Sequence, residues 1–406
     1  MTPPNLPVAA RNMWSVVWNR TAKMYRRLRQ RFFRVRKQAR ETGKSAKAHA
    51  RGAVAAGRDA GITAYAGTIR TSRYWMRQRS RTIPRLRREL SVRGELWRAA
   101  RGDGPVIVGP WLSEVGYEVL YWVPFVRWFA HHYRVDPSRL VVVSRGGVAG
   151  WYADVAERYV ELLDLFSPAE FAARNAERQR EGEQKQHRLS AFDAEIVTRV
   201  RHDRALAGAT ICHPSAMFRL LRQFWLGNES LEYLLEHLVY APVTPPPVAI
   251  PNLPSRFVAM KFYTGKALPD TDANRRALRA IVERTAADDP VVLLNTGLTL
   301  DEHQDFLFRD IAATSLTSSM TPQNNLAVQT EVIRRAARFV GTCGSLAWLA
   351  PMLGTKTLAV YEDDHLLTPH LYAARHAYAS MSAASFTPLD LRSSAMLVRP
   401  EARLDV

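Results

Sequence analysis

The sequence has only two cysteines among its 406 residues, Cys212 and Cys343. Two cysteines cannot build the disulfide framework of a small secreted domain, and no spacing of cysteine and histidine matches a zinc site. Long hydrophobic runs are also absent, since the most apolar stretch, 106–130, contains Glu114 and Glu118. No run approaches the roughly 18 apolar residues that indicate a membrane-spanning helix. Residues 1–7 lack the features of a secretory signal, so we expect a cytoplasmic protein.

Acidic side chains are scarce in the first quarter of the chain. Residues 1–103 contain 26 Lys and Arg against 5 Asp and Glu, whereas the remaining 303 residues contain 31 against 33. The net charge of +19 therefore comes from residues 1–103. This asymmetry predicts a basic, mostly helical extension, 1–103, followed by a globular body of balanced charge that begins at Gly104.

Within the extension, residues 11–40 place apolar side chains three and four positions apart, with arginine and lysine at most other positions. The apolar stripe consists of Trp14, Val17, Trp18, Met24, Tyr25, Leu28, Phe32 and Val35. Such a helix is typical of segments that lie in a membrane interface, where each basic residue near an anionic leaflet adds about 1 kcal/mol of attraction. We expect residues 11–40 to hold the protein on an anionic membrane surface. A helical arm on a partner protein and a nucleic-acid-binding arm are the alternatives, and nucleic acid is not the partner that we expect.

Short apolar runs alternate with helical segments in both parts of the body, and a segment with six prolines, 241–255, separates the parts. This alternation predicts an α/β fold in which two Rossmann-like domains, 104–240 and 256–406, face a cleft. In the first domain we expect strands at 105–109, 140–144 and 210–213, and helices at 152–165, 167–206 and 217–225. In the second we expect strands at 257–262, 291–294, 338–341 and 357–361, and helices at 274–287 and 325–335.

The segment Arg338–Tyr361 combines two apolar runs with a turn of small residues and an apolar stretch of one helical length. Such a strand–turn–helix–strand unit places the turn at the sheet edge where α/β folds bind ligands. Gly341 and Gly344 allow a ligand close to the backbone, and Thr342 and Ser345 offer hydroxyls. A diphosphate is the usual occupant of such a turn. A tight connection with nothing bound is an equally good interpretation of the pattern.

Residues Val340–Gly354 resemble the donor-site motif of bacterial GT-B glycosyltransferases, the heptosyltransferases especially, whose pattern runs Val-Gly-Asn-Asp-Thr-Gly-Leu-Ser-His-Leu-Ala-Ala-Ala-Leu-Gly. The positions that match or nearly match are Val340, Gly341, Leu346, Leu349, Ala350, Leu353 and Gly354. Cys343 and Trp348 stand where the motif has Asp and His. The resemblance implies that the second domain binds a nucleotide-sugar donor.

The same resemblance implies which residues meet the donor. A lysine at the end of the second domain's first strand would bind the diphosphate, and here that residue is Lys261; an ordinary surface lysine is the alternative interpretation. The other residues that we expect on the donor side are Tyr263, Thr264, Asn295, Gly297, Gly341, Thr342, Gly344 and Ser345.

The segment 110–118, Pro-Trp-Leu-Ser-Glu-Val-Gly-Tyr-Glu, follows the first expected strand of the body. With Ser113 as the N-cap, Glu114 falls in the first helical turn and Glu118 lies on the same face four residues later. A glutamate in a first turn also complements the helix dipole without any catalytic role, which explains Glu114 better than Glu118.

The pattern Gly-Pro-Trp-x-x-Glu-x-Gly-x-Glu is similar to the opening of a group of bacterial surface-polysaccharide glycosyltransferases. The GT-B resemblance implies an acidic general base in the loop after the first strand of the first domain, which would deprotonate the acceptor hydroxyl. Here that residue is Glu114, with Glu118 as the second candidate. Trp111 and Arg145, after the first two strands, are expected on the acceptor side.

The two resemblances imply a metal-independent GT-B glycosyltransferase that needs no cofactor besides its nucleotide-sugar co-substrate. It would act at the cytoplasmic face of a bacterial membrane and add a sugar to a surface polysaccharide or a lipid-linked glycan. Two other functions fit the sequence. One is a nucleic-acid-associated protein that acts through its basic arm, and the other is a non-catalytic scaffold with a glycosyltransferase fold, which Cys343 in place of the motif's Asp would permit.

Membrane attachment is tested by replacing Trp14, Trp18 and Phe32 with glutamate in the full chain. Three negative charges on the apolar stripe should release the protein from anionic vesicles in a sedimentation assay. A control with glutamate at Asn19, Gln30 and Gln38 changes the net charge equally but leaves the stripe intact, so it should retain most of the binding. Equal sedimentation of the first variant and the parent would contradict the interfacial helix.

Overall fold

A computed structural model describes residues 86–183, 185–297, 304–308 and 310–394. The segment 11–40, for which membrane binding is predicted, lies outside these residues, as does most of the predicted extension. The chain divides into two compact units, Met1–Leu86 and Arg87–Val406, and both sheets described below belong to the second unit.

Four parallel strands form the first sheet, in the order β3-β2-β1-β4. They are β1 (Val106–Val108), β2 (Leu140–Ser144), β3 (Arg158–Glu161) and β4 (Thr210–Cys212). In the register, Ile107 of β1 lies opposite Val141 on one side and Ile211 on the other. β1 and β2 are buried along their whole length, as expected of parallel strands that are covered on both faces.

The helices of this part of the chain, which we call the first half, cover both faces of the sheet. They are residues 86–100 (α1), Val115–Tyr117 (α2), Val123–Tyr133 (α3), Leu162–Leu165 (α4), Pro168–Arg180 (α5), Ala191–Asp203 (α6), Pro214–Trp225 (α7) and Leu231–Leu235 (α8). Between α2 and α3, Glu118–Trp122 winds as a π-helix. Short 3₁₀ turns occupy Pro137–Arg139 and Val148–Trp151.

Six parallel strands form the second sheet, in the order β10-β9-β8-β5-β6-β7. They are β5 (Val258–Lys261), β6 (Val291–Leu293), β7 (Thr314–Ser315), β8 (Arg338–Thr342), β9 (Thr357–Tyr361) and β10 (Phe386–Asp390). The helices of this second half are α9 (Asp272–Asp288), α10 (Asn325–Arg335), α11 (Ser345–Leu349), α12 (Thr368–Ser380) and α13 (Leu391–Ser394), with 3₁₀ turns at Thr317–Ser319 and Ala350–Leu353. The two parallel sheets with their helices establish the predicted α/β class.

One hydrophobic cluster extends through both halves. It includes Trp122 and Phe218 from the first half and Phe339 and Leu346 from the second, all buried. Two smaller clusters each lie within a single half: one, which includes Phe166, in the first half, and one in the second half. The two sheets are therefore joined by a shared apolar core.

The proline-rich segment 241–255 contains no helix or strand, but it is packed against the body. Val243 and Ile250 are buried, and the amide of Val243 donates a hydrogen bond of 3.0 Å to the carbonyl of Met352. A Cβ atom on Gly150 would lie 2.6 Å from Cβ of Pro245. The connection between the halves is thus held in place by contacts with both of them.

The structure confirms the expected strand 140–144, the expected strand 357–361 and the expected helix 325–335 to the residue. Two helix predictions are wrong. The expected helix 152–165 contains β3, because pairing with β2 draws residues 158–161 into the sheet. The expected helix 167–206 is two helices, since Gly182 adopts a φ of 82° after the first and a capping box of Ser190 and Asp193 starts the second.

The expected boundary of the extension, at residue 103, falls beyond α1. Val92, Leu96 and Ala99 of this helix are buried in the shared core, and Tyr133 donates a hydrogen bond of 3.2 Å to the carbonyl of Arg93. Residues 87–100 of this helix therefore pack as part of the body, and the second compact unit begins at residue 87 rather than 104.

Truncation tests this boundary. A chain that begins at residue 86 should fold, whereas one that begins at residue 104 loses three buried apolar side chains. Each of the larger ones contributes about 1.5–3 kcal/mol, so we expect the shorter chain to melt on the order of 10 °C lower. In the longer chain, Leu96→Ala should lower the melting temperature and Leu90→Ala, at a position 52 % exposed, should not. Equal melting of the two truncated chains would place α1 outside the core.

Candidate active site

The two halves touch where the chain leaves β1 and β8. A Cβ atom on Gly116 would lie 2.9 Å from the amide nitrogen of Ser345 and 3.4 Å from Cδ1 of Trp348. Only a glycine allows the two backbones to approach each other this closely. We call this contact, between residues 114–117 of the first half and 344–348 of the second, the seam. Both sets of residues follow strand ends, so the seam lies between the carboxyl edges of the two sheets.

On the second half, the loops after β5 and β8 are joined by hydrogen bonds. The amide of Tyr263 donates to Oγ1 of Thr342 at 2.9 Å, and that hydroxyl donates to the carbonyl of Tyr263 at 3.1 Å. Gly344 has a φ of 144°, and a Cβ atom there would lie 2.6 Å from Oη of Tyr263. The structure thus brings Tyr263, Thr342, Gly344 and Ser345 together, and their role on a donor side stays a prediction. Gly341 is needed for packing within the sheet, because a Cβ atom at this position would lie 2.5 Å from the carbonyl oxygen of Lys261.

Cys343 and Trp348, the two departures from the resembled motif, are both buried. The amide of Cys343 donates to the carbonyl of Val360 at 2.8 Å, and burial raises the pKa of its thiol. Trp348 packs on Phe386 with ring centroids 5.3 Å apart. Both residues fill the interior.

Lys261 lies at the end of β5, as predicted, but its charge is already compensated. Its Nζ is 2.7–2.8 Å from the carboxylate oxygens of Asp305 and 3.0 Å from the carbonyl of Leu294. The Lys261 side chain is only 12 % exposed. Sequence reasoning missed Asp305, because 44 residues separate it from the lysine.

The remaining residues expected on the donor side, Thr264, Asn295 and Gly297, lie in the segments that follow β5 and β6. The side-chain amide of Asn295 donates to the carbonyl of Phe306 at 3.2 Å, and Gly297 turns with a φ of 66°. The hydroxyl of Thr264 accepts from the amide of Gln304 at 3.4 Å. These residues shape the loop that holds Asp305.

Glu114 and Glu118 have opposite environments. Glu114, rather than Ser113, occupies the N-cap position of α2, and its side chain is exposed at the seam. Glu118 is fully buried, and its Oε1 accepts hydrogen bonds from Oγ of Ser144 at 2.6 Å and Oη of Tyr152 at 2.7 Å. Burial raises the pKa of Glu118 to about 7. Of the two candidates for a general base, Glu114 is the one with access to solvent.

Trp111 and Arg145, expected on the acceptor side, are also buried. Trp111 stacks on Trp122, with centroids 5.7 Å apart, and on Phe218, at 6.0 Å. Arg145 donates to the carbonyl of Ser113 at 3.2 Å. In this structure both side chains support the loop that carries Glu114.

The turn after Arg145 joins the halves a second time. The carbonyl of Gly146 accepts hydrogen bonds of 3.0 Å from the amides of Leu326 and Ala327, in the first turn of α10. Glu161 holds the turn from the other side, since it accepts from the amides of Gly146 and Gly147 at 3.1 and 2.8 Å.

A chain of polar side chains that the sequence did not indicate crosses between the halves beside the seam. Nζ of Lys185 donates to Oη of Tyr117, which lies 3.3 Å from Nε2 of His370; Nδ1 of His370 lies 2.7 Å from Oη of Tyr121. Burial, with a smaller effect of the Lys185 charge, lowers the pKa of His370 to about 3, so its ring is neutral. In the neutral ring one nitrogen carries a proton and the other accepts, so His370 donates to one of the two tyrosine hydroxyls and accepts from the other.

Among the described residues, no group of three or more histidine, cysteine or carboxylate side chains is arranged to hold a metal ion. Within the same part of the chain, no helix is both long and apolar enough to cross a bilayer.

Comparisons with known proteins give no family model and no curated protein that matches the chain. Among solved structures, the chain is similar to the iron-containing dodecameric glycosyltransferase TibC of enterotoxigenic E. coli H10407, at 11 % identity and a TM-score of 0.36 over 64 % of this chain. It covers 58 % of that protein, less than two thirds of its length. It is also similar to a family 9 glycosyl transferase of Veillonella parvula DSM 2008, at 10 % identity and a TM-score of 0.38, over 74 % of this chain and 90 % of that one. A third similar structure is E. coli heptosyltransferase WaaC with ADP, at 15 % identity and a TM-score of 0.35, over 72 % of this chain and 98 % of that one. Likeness at this level establishes neither a shared site nor a shared reaction.

The buried carboxyl of Glu118 predicts a pH-dependent stability. Since its pKa is about 7 in the folded protein and about 4.5 in the unfolded chain, the folded state holds the proton at pH values where the unfolded chain has released it. The stability of the parent should therefore fall as the pH rises through this window. Glu118→Gln cannot ionise, so its free energy of unfolding relative to the parent should rise by about 2–3 kcal/mol between pH 5 and pH 8.

Urea unfolding at pH 5, 6, 7 and 8 measures this difference. Glu114→Gln is the matched control, because Glu114 is exposed, and its difference from the parent should not follow the same trend. A pH-independent difference between Glu118→Gln and the parent would show that Glu118 is ionised throughout.

Proposed function

We propose that the protein is a GT-B-type glycosyltransferase that takes a sugar from a nucleotide-sugar donor, with its active site at the seam. The observation that carries the proposal is the position of Glu114. It is an exposed carboxylate at the start of α2, two residues from the glycine that contacts Ser345. An acidic side chain of one half thus lies beside the small-residue turn of the other, at the sheet edges where α/β proteins bind ligands.

In the proposed reaction, Glu114 is the general base. It would accept the proton of the acceptor hydroxyl as that oxygen attacks the anomeric carbon of the donor sugar. Because Glu118 is buried and hydrogen-bonded, its proposed role is to position α2 through Ser144 and Tyr152. The turn at Gly344 and the loop at Tyr263 would form the donor side, in line with the motif resemblance of 340–354.

The finer assignments belong to the same proposal. The acceptor would be a surface polysaccharide or a lipid-linked glycan, and the enzyme would work at the cytoplasmic face of the membrane without a metal ion. The support for membrane action is the basic, amphipathic pattern of residues 11–40. The support for the acceptor is the similarity of segment 109–118 to surface-polysaccharide glycosyltransferases.

A non-catalytic scaffold is the second candidate, because three features favour it. The halves are in contact at Gly116, Lys261 is already paired with Asp305, and Cys343 is buried where the resembled motif has an aspartate. A scaffold would neither transfer a sugar nor hydrolyse a nucleotide sugar.

Activity separates the two candidates. The full chain is incubated with a panel of nucleotide sugars, and release of nucleoside diphosphate is measured with and without glycan acceptors. If Glu114 is the base, Glu114→Gln should lower turnover about 10²–10⁴-fold with little change in donor affinity. Glu118→Gln is the comparison variant and should act mainly on stability. Full activity of Glu114→Gln would remove Glu114 from the chemistry, and no release from any donor by the parent would favour the scaffold.

A further inference from the structure

Lys185 carries a positive charge beside the seam and, among the described residues, has no carboxylate at ion-pair distance; Glu114 acts on it only from farther away. Its Nζ donates to Oη of Tyr117 and lies 4.1 Å from the centroid of the same ring. Among the described residues, no carboxylate oxygen lies within 4.0 Å of this ammonium. Since Lys185 is half-buried, its ammonium has lost part of its hydration. In place of water it has a hydrogen bond to the Tyr117 hydroxyl and a cation–π contact with the Tyr117 ring.

The contrast with Lys261 is direct. Lys261 also lies near a sheet edge, but Asp305 compensates its charge at 2.7 Å. An ammonium that is partly removed from water and lacks such a partner is stabilised when an anion binds to it. Burial lowers the pKa of Lys185, the charge of the Glu114 carboxylate partly opposes this effect, and the nearby charge of Lys266 lowers the pKa further. The second lysine increases the attraction of the same place for an anion.

Lys185 is also held in a fixed position. Its neighbour Gln186 is fully buried and hydrogen-bonded to the loop after β1: Nε2 donates to the carbonyl of Pro110 and Oε1 accepts from the amide of Leu112, both at 2.9 Å. Nε2 also donates to Asp193 at 2.7 Å. The segment that carries Lys185 is therefore tied to the loop that carries Glu114, so little conformational freedom of this segment would be lost when an anion binds.

We propose that Lys185 binds the diphosphate of the nucleotide-sugar donor, so that the first half supplies the cation that Lys261, paired with Asp305, does not. This inference rests on the proposed function. As the acceptor oxygen forms its bond to the anomeric carbon, the bond from that carbon to the diphosphate oxygen breaks. The electron pair stays on the diphosphate, and the acceptor proton passes to Glu114. Lys185 stabilises the negative charge that the leaving group gains.

Binding of nucleoside diphosphates to the full chain tests the role of Lys185. Affinities for ADP, UDP and GDP, and for the nucleosides alone, are measured by calorimetry. Lys185→Met keeps most of the side-chain length without the charge, so it should weaken binding of the preferred diphosphate at least about 10-fold and leave nucleoside affinity unchanged. Lys185→Arg should recover part of the loss. Lys356→Met, at an exposed position before β9, is the matched control and should bind like the parent.

The outcomes separate the inference from the proposed function. If the parent binds a nucleoside diphosphate and Lys185→Met binds it equally well, the role of Lys185 is wrong and the glycosyltransferase proposal stands. If Lys185→Met loses nucleoside and diphosphate affinity in the same proportion, the residue supports the fold and does not bind the diphosphate. If the parent binds no nucleoside diphosphate and releases none from any nucleotide sugar, both proposals fail. A loss confined to ligands that carry a diphosphate supports the assignment.

Discussion

The contact between Gly116 and Ser345 sets the geometry of the site. It brings the backbone of the loop after β1 against that of the loop after β8 with no room for a side chain. Tyr117 follows directly and is thereby placed within hydrogen-bond reach of His370 in the second half. Glu114 lies at the outer end of the same short helix and stays exposed. A single glycine thus determines the position of a candidate base and of the polar chain beside it.

Three ionisable side chains near the seam, Lys261, Glu118 and Lys185, have different kinds of partner. Lys261 and Asp305 compensate each other at ion-pair distance. Among the described residues Glu118 has no ion-pair partner, and burial, opposed in part by the Arg145 charge, raises its pKa to about 7, so that it holds a proton over much of the acidic range. Lys185 has a phenol and an aromatic face in place of a carboxylate. Because burying an uncompensated charge is costly, these differences distinguish residues that serve the fold from a residue that is available to a ligand.

Local sequence pattern was sufficient where a segment's own side chains decide its structure. β2 and β9 are short apolar runs, and α10 begins after a polar turn, so their bounds could be read directly. The bounds of β3 could not be read from the sequence, because its strand conformation depends on pairing with β2. The same holds for the site. The glycines and hydroxyls of 341–345 follow from a local motif, whereas partners such as Asp305 and His370 lie far away in the chain and are defined only by the fold.

The interior position of Glu118 also depended on context. Its spacing from Glu114 is that of one helical face, but the chain passes from an α-helix into a π-helix at Glu118, where Ser144 and Tyr152 surround the carboxyl. Sequence spacing defines a helical face only while the helix keeps its geometry.

The shared apolar core has a consequence for how a substrate could reach the seam. Rotating the two sheets apart as rigid bodies would expose buried aromatic and aliphatic side chains to water, at about 25 cal/mol for each Å² of apolar surface. The hydrogen bonds of the turn at Gly146 to α10 and of Val243 to Met352 would have to break as well. Wide hinge opening is therefore expensive in this molecule. Access is expected through local displacement of the loops that border the seam, so the rate of ligand entry should depend on those loops rather than on the connection between the halves.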